Sequence, residues 1–333
     1  MKNDLSKLSL LIFLSLSLGL TSCNENEEDE APPTAPSPTK SIAELAQESP
    51  QFSILVDALI LTDLVDEFEQ SGSFTVFAPN NEAFNAFFDE NEISDNNGDG
   101  SRVDDAATEL GADVVGQILL YHMLEAKIAT SDIASAKYKS TLSTYSPDST
   151  PLTLRIARIN NTIVLNGGNG IGAISVNTNM TATNGIIHEI NGVLVLPNVV
   201  DHAIANPDLS ELLDAVTTTN SWDSLCPLAT LTVFAPLNSA FEDKSTTING
   251  FTDNQISDML QYHVLETELH QEEIPEGSLL TLLGQEFTIR IGADDNALIL
   301  TDAYGEEAVV VLTNIQATNG VVHIIDNVLF PSM

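Results

Sequence analysis

The decapeptide TVFAPNNEAF at Thr75–Phe84 returns as TVFAPLNSAF at Thr232–Phe241, and an internal repeat restricts the architecture of a chain more than any other sequence property. Two further blocks follow in the same order. LYHMLE at Leu120–Glu125 is answered by QYHVLE at Gln261–Glu266, and ATNGIIH at Ala182–His188 by ATNGVVH at Ala317–His323. The separations fall along the chain: Thr75 to Thr232 is 157 positions, Tyr121 to Tyr262 is 141, and Ala182 to Ala317 is 135. Separations this large describe whole domains, each able to bury its own core, and not solenoid units. Their decrease means that the first copy carries insertions which the second lacks. The copies are placed at 41–197 and 198–333, with so little chain between them that a fixed pair is expected.

Ahead of the repeat, Met1–Ser22 has the form of a secretory signal, with Lys2 and Lys7 before an apolar run, Leu8–Leu20, too short to span a bilayer. The run ends in Leu20-Thr21-Ser22-Cys23, which is similar to a bacterial lipobox, so Cys23 is expected to become the acylated first residue of the mature protein. The other cysteine, Cys226, reads as a small buried apolar side chain beside a strand, and such a pair is no disulfide scaffold. Residues 23–40 combine an acidic run, Asn24–Glu30, with a proline-rich run ending at Thr39. Neither buries enough apolar surface to fold, which makes the segment a hydrated tether. Its acidic start resembles the surface-export signal of lipoproteins in Bacteroidetes-like bacteria. The expected location is the outer membrane, surface-exposed, with the membrane touched through the lipid anchor only.

Lysine and arginine number 11 against 48 acidic residues, a formal charge of −37, and such a surface repels phosphate backbones. Nucleic acid is therefore excluded as a partner. One acidic segment has the front half of an EF-hand loop: Asp95, Asn97, Asp99 and Ser101 put oxygens at alternate positions around Gly98 and Gly100. The back half departs from that pattern, because position 12 is Ala106 in place of a bidentate Glu, although Asp104, Asp105 and Glu109 lie close by. Calcium is the one candidate cofactor. The matching stretch of the second copy, Phe241–Asn254, lacks the alternating oxygens.

Each copy opens with helical patterning. Ser41 and Glu44 have capping-box spacing ahead of Leu45, Phe52, Leu55 and Leu59, and Val199–Val216 occupies the same place in the second copy. Phe74–Ala78 reads as a buried strand stopped by Pro79, followed by a helix capped by Asn80 or Asn81 and faced by Phe84, Phe87 and Phe88. Asp113–Leu124 reads as an amphipathic helix that delivers Tyr121 and His122 near its end. Beyond it the period changes to that of strands, at Leu152–Ile156, Thr162–Leu165 and Ile174–Val176, and Asn191-Gly192 is expected to turn a hairpin between apolar runs. Helices first and strands later argue an α+β domain.

Taken together, the three ordered blocks resemble the fasciclin domain, over nearly everything from Ser41 to the C-terminus. The resemblance implies two tandem α+β domains, each a β-sandwich or wedge with packed helices. It also implies cell adhesion through an extracellular protein or polysaccharide partner. Departures are the acidic insertion around Asp95 and Asp326-Asn327 in place of Asn191-Gly192. Tyr121-His122 and Tyr262-His263 match a motif tied to adhesion in animal members. Set between leucines, these side chains read more simply as core residues with satisfied polar tips. The same holds for His188 and His323, which alternate with apolar residues.

No catalytic residue is assigned. The histidines lack zinc-protease spacing, no Gly-x-Ser-x-Gly elbow occurs, and the glycine-rich Asn166–Gly172 lies between strand patterns without opening a helix. The reading is a non-enzymatic adhesion or ligand-binding module. The alternatives are a passive spacer in a surface assembly and a carboxylate-dependent glycan-active enzyme. One Trp, Trp222, and five Tyr leave little for an aromatic sugar platform.

Overall fold

A computed structural model describes residues 37–96, 98, 100–168, 170–219, 230–292 and 297–333. The signal segment, Cys23, nearly all of the tether, Asn97, Asp99, Trp222 and Cys226 lie outside the described residues. Pro38–Met333 form one compact unit.

In the first copy, α1 (Ile42–Glu48), α2 (Ser53–Leu61) and α3 (Val65–Glu69) precede β1 (Phe74–Pro79). Then come α4 (Asn81–Glu90), α5 (Val103–Leu110), α6 (Ala112–Tyr121), β2 (Met123–Leu124), β3 (Lys137–Ser140), β4 (Thr153–Ile159), β5 (Thr162–Leu165), β6 (Ala173–Ala182) and β7 (Gly185–Ile190). The second copy repeats the order with α7 (Val199–Ala205), α8 (Ser210–Thr218), β8 (Leu231–Pro236), α9 (Asn238–Ile248), α10 (Asp253–Tyr262), β9 (Val264–Leu265), β10 (Gly277–Leu280), β11 (Glu286–Ile291), β12 (Leu298–Thr301), β13 (Glu307–Ala317) and β14 (Gly320–Ile325). Each copy forms one seven-stranded sheet, β2-β1-β7-β6-β5-β4-β3 and its counterpart β9-β8-β14-β13-β12-β11-β10. All pairings are antiparallel except β1 with β7 and β8 with β14.

The repeated blocks sit where backbone meets backbone. β1 is buried along its whole length, with Phe74, Val76 and Ala78 in the core under the helices and Phe77 in a second core with Tyr121, Leu154 and Ile163. A strand apolar on both faces reads as a continuous run, which is how TVFAP reads. In the ATNG block, Asn184 accepts from Ile42 N at 2.9 Å and donates to Phe68 O and Gln70 O, fastening the first helix to the sheet. Asn319 accepts from Val199 N in the same way, at 2.9 Å. The following glycine is required by the parallel partner: a Cβ at Gly185 would stand 2.2 Å from Phe74 O, and one at Gly320 2.1 Å from Leu231 O.

Local signals agree with these elements. Ser41 and Glu44 form a reciprocal capping box, Asn80 caps α4 by accepting from Ala83 N, and Asn198 with Asp201 caps α7. Two expectations change. Leu124 leaves the helix for β2, since α6 ends at Tyr121 and Met123 pairs with Val76. Asn191-Gly192 makes no hairpin: neither residue has the positive φ that the two-residue turn needs, and the chain beyond forms no strand. Val193 and Leu194 enter the two cores instead, and Leu194 N donates to a histidine ring nitrogen at 2.9 Å.

The insertions are explicit. Thr141 N meets Leu152 O across ten residues, whereas Thr281 N meets Gln285 O across three. The longer loop of the first copy reaches the second copy.

Candidate functional site

The Tyr-His motif is built on the same plan in both copies. Tyr121 is fully buried, donates its hydroxyl to Thr153 O at 2.8 Å and accepts from Asn166 Nδ2 at 3.0 Å, and burial pushes its phenol far up. Tyr262, equally buried, donates to Glu286 O at 2.8 Å. His122 Nδ1 donates to Ile118 O at 2.7 Å while its Nε2 accepts from Leu194 N at 2.9 Å. His263 does the same between Met259 O at 2.8 Å and Leu329 N at 2.9 Å. Carbonyl and amide neighbours dictate the neutral Nδ1–H tautomer in each, and burial lowers both pKa values to about 4.

The second histidine pair serves the sheet. His188 stacks on Phe77 at 5.6 Å and donates from Nε2 to Ile128 O at 2.8 Å, while Asn179 N reaches its Nδ1 at 3.3 Å. His323 repeats this on Phe234, Leu269 O and Asn314 N. Asn179 and Asn314 both have positive φ at irregularities between β6 and β7 and between β13 and β14. Neither histidine pair faces solvent.

In the acidic loop, the Asp95 carboxylate accepts from Gly98 N at 2.7 Å and Gly100 N at 3.0 Å, and Ser101 Oγ accepts from Val103 N at 3.4 Å. Asn96 N donates to the buried Asp105 carboxylate at 3.2 Å, tying the loop to α5.

A concave feature lined by both copies lies where they meet. A cleft of about 510 Å³ is walled by Lys137, Tyr138 and Arg155 of β3 and β4 on one side and by Asn206, Asp208 and Asn314 on the other. Tyr138 packs into the second copy's core, its ring 6.0 Å from His202, and Thr153 Oγ1 donates to Gln316 O at 3.2 Å. Tyr138 and Arg155 are directly paired across the strands, so both project to this side. Arg155 is 8% exposed, and among the described residues its guanidinium has no hydrogen-bond or ion-pair partner.

The Fasciclin domain family model matches residues 50–197 and 207–331. The chain belongs to the fasciclin domain family. Human periostin is 29% identical over 283 residues, 80% of this chain and 29% of periostin. Pig transforming growth factor-beta-induced protein ig-h3 is 28% identical over 275 residues, 80% of this chain and 36% of its own. The chain thus spans well under half the length of these relatives. Fasciclin-1 of the locust Schistocerca americana is 27% identical over 189 residues, 51% of this chain and 28% of that protein. The solved FAS1 domain pair from the insect cell adhesion molecule fasciclin I has the same fold, with a TM-score of 0.51 at 18% identity over 85% of this chain and 98% of that one.

Sequence reasoning passed over the cleft of the fasciclin pair, although a signal was present. Five of the 11 basic residues, Lys127, Lys137, Lys139, Arg155 and Arg158, fall within 32 positions of an otherwise acidic chain. β3 and β4 bring Lys137, Lys139 and Arg155 onto one hairpin.

Proposed function

We propose that this chain is a non-enzymatic surface adhesion module. It is acylated at Cys23, tethered to the outer membrane by residues 23–40, and holds an extracellular protein or polysaccharide partner in the cleft between its fasciclin copies. The observation that carries this reading is Arg155, a mostly buried residue paired with Tyr138 whose guanidinium has no hydrogen-bond or ion-pair partner among the described residues and lines the cleft. A guanidinium that lines a cleft with its donors unused is free to make a bidentate, charge-assisted hydrogen bond to a ligand carboxylate or sulfate. The ligand class is therefore an anionic polymer, an acidic polysaccharide before all others. Among the described residues no helix is long and apolar enough to cross a membrane. The Tyr-His motif supports the cores in this scheme, and the Asp95 loop is a calcium site of the first copy.

The test is saturable binding of the purified chain to polygalacturonate and to neutral dextran, in calcium and in chelator. Binding to the anionic polymer alone is expected, with Arg155→Gln and Lys137→Ala each weakening it by about tenfold or more. Lys137 is exposed, so its replacement leaves the melting temperature unchanged. Absence of binding to either polymer transfers the function to the spacer. Anchoring is checked separately: Cys23→Ser is expected to move the protein from the membrane fraction to the soluble one, and a variant that stays with the membrane overturns lipidation.

A further inference from the structure

Next to the cleft, three side chains from both copies converge. Asp148 projects from the first copy's inserted loop, and Glu268 and His270 from the segment after β9. His270 Nε2 lies 3.1 Å from Asp148 Oδ2 and 3.9 Å from Glu268 Oε1, and one ligand atom from each residue falls within 4.8 Å of the others. Ligands about 2.1 Å from a tetrahedral ion stand about 3.4 Å apart, so small side-chain adjustments close the set.

A second observation is independent of that proximity. The Glu268 side chain is only 8% exposed, and its Oε2 has no hydrogen-bond partner among the described residues. Its Oε1 is held by Gln316 Nε2 at 2.6 Å, and the same amide nitrogen also faces Ala317 O and Gly320 O, which fixes its orientation. A buried carboxylate oxygen without a donor is costly, and a cation removes that cost. Burial raises the Glu268 pKa, opposed by the Gln316 hydrogen bond. Asp148 is also pre-set: Thr150 N and Oγ1 and Ser146 Oγ donate to it at 2.9, 2.7 and 3.1 Å. These contacts orient the ligands as outer partners do in metal sites.

The duplication supplies an internal control. His188 and His323 bond Ile128 O and Leu269 O in equivalent fashion, which aligns Ile128 with Leu269. Glu268 and His270 therefore match Lys127 and Ala129, which bind no metal. The counterpart of the Asp148 loop is the three-residue connection from Thr281 to Gln285. The cluster is thus a property of this junction, absent from the equivalent place in the first copy.

We propose that Asp148, Glu268 and His270 bind a divalent transition metal, zinc in the first place, which joins the two fasciclin copies. One imidazole and two carboxylates suit zinc and its neighbours, whereas calcium takes six to eight oxygens. Two carboxylates also neutralise the ion in full. A water completes the fourth position, as three protein ligands leave it open.

The test uses the full chain, stripped with chelator and titrated with Zn²⁺ by calorimetry and with Co²⁺ by visible absorption. One ion per chain is expected, with a cobalt band of tetrahedral intensity and an upward shift in melting temperature on adding zinc. His270→Gln is expected to abolish the band. Asp148→Asn, on an exposed loop, is expected to weaken binding at least tenfold while the metal-free protein melts as the wild type does. Binding that survives both replacements, a cobalt band displaced by equimolar calcium, or no saturable binding overturns the proposal.

Discussion

Tyr121→Ala is expected to destabilise the first fasciclin copy by about 4 kcal/mol, a large share of the stability of an ordinary domain. The ring is fully buried in the core with Phe77, Leu152, Leu154 and Ile163, and its removal leaves a cavity that strands paired on both sides cannot collapse to fill. Two polar groups also lose their partner, Thr153 O and Asn166 Nδ2. Tyr121→Phe isolates that second part and is expected to cost about 1–2 kcal/mol. Tyr262→Phe is expected to cost about the same, because the Tyr262 hydroxyl donates to Glu286 O and the Ala303 amide stands where Asn166 stands in the first copy. The Asn166 side chain also accepts from Arg155 N at 3.1 Å, so losing the tyrosine loosens the strand that carries the cleft's guanidinium. Urea unfolding checks the series: the midpoint should shift far more for Tyr121→Ala than for Tyr121→Phe or Tyr262→Phe, at constant slope. Unchanged unfolding of Tyr121→Ala together with lost adhesion would return the motif to a binding role.

What could be read from the chain follows from where the information resides. TVFAP, YH and ATNG are local strings whose residues are demanded by local contacts: a strand buried on both faces, a histidine clasped between a carbonyl and an amide, and a glycine under a neighbouring carbonyl. Such strings recur wherever the contact recurs, so two copies and their fold class are visible before any coordinate. Asn191-Gly192 misled because the dipeptide is a hairpin signal only when paired strands flank it, and here the buried Leu194 and its bond to His122 prevail. The junction was not legible for the opposite reason. Asp148 stands 120 positions before Glu268, and Arg155 comes to line one cleft with Asp208 only after both copies have folded. No spacing rule relates residues joined solely by the packing of one domain on another. The falling separations between the repeated blocks pointed to insertions, and one of them, the Thr141–Leu152 loop, forms part of that junction.

Acidification from neutral pH to about pH 5 is expected to strip the protein of most of its stability, although a chain of charge −37 invites the opposite expectation. His122, His202 and His263 are wholly buried, and burial lowers each pKa to about 4, against partial opposition from Ile118, Gln316 and Met259 carbonyls. Asp302 near His263 opposes the shift further. The neutral form is the one the fold accommodates: protonating His122 Nε2 sets a new N–H against the Leu194 amide, and His263 meets Leu329 in the same way. With folded values near 4 and unfolded values about 6.5, the unfolded chain binds more protons between these limits, so stability rises with pH through that window. Their contribution is complete above about pH 6.5 and is lost as pH falls towards 4, about 1.4 kcal/mol per pH unit for each histidine in mid-window. His122 in the first copy and His202 and His263 in the second together remove a large share of the stability of the pair before the bottom of the window is reached. Relief of carboxylate repulsion works the other way, but Asp and Glu protonate mainly near and below pH 4, so it arrives after the histidines have acted. Urea unfolding at half-unit steps from pH 7.5 to 5, in chelator, should give a free energy that falls steadily. His122→Asn with His263→Asn should remove about two protons from the slope, whatever those replacements cost at neutral pH. A stability that is flat or rises over that interval would show that these rings are already hydrated in the folded protein.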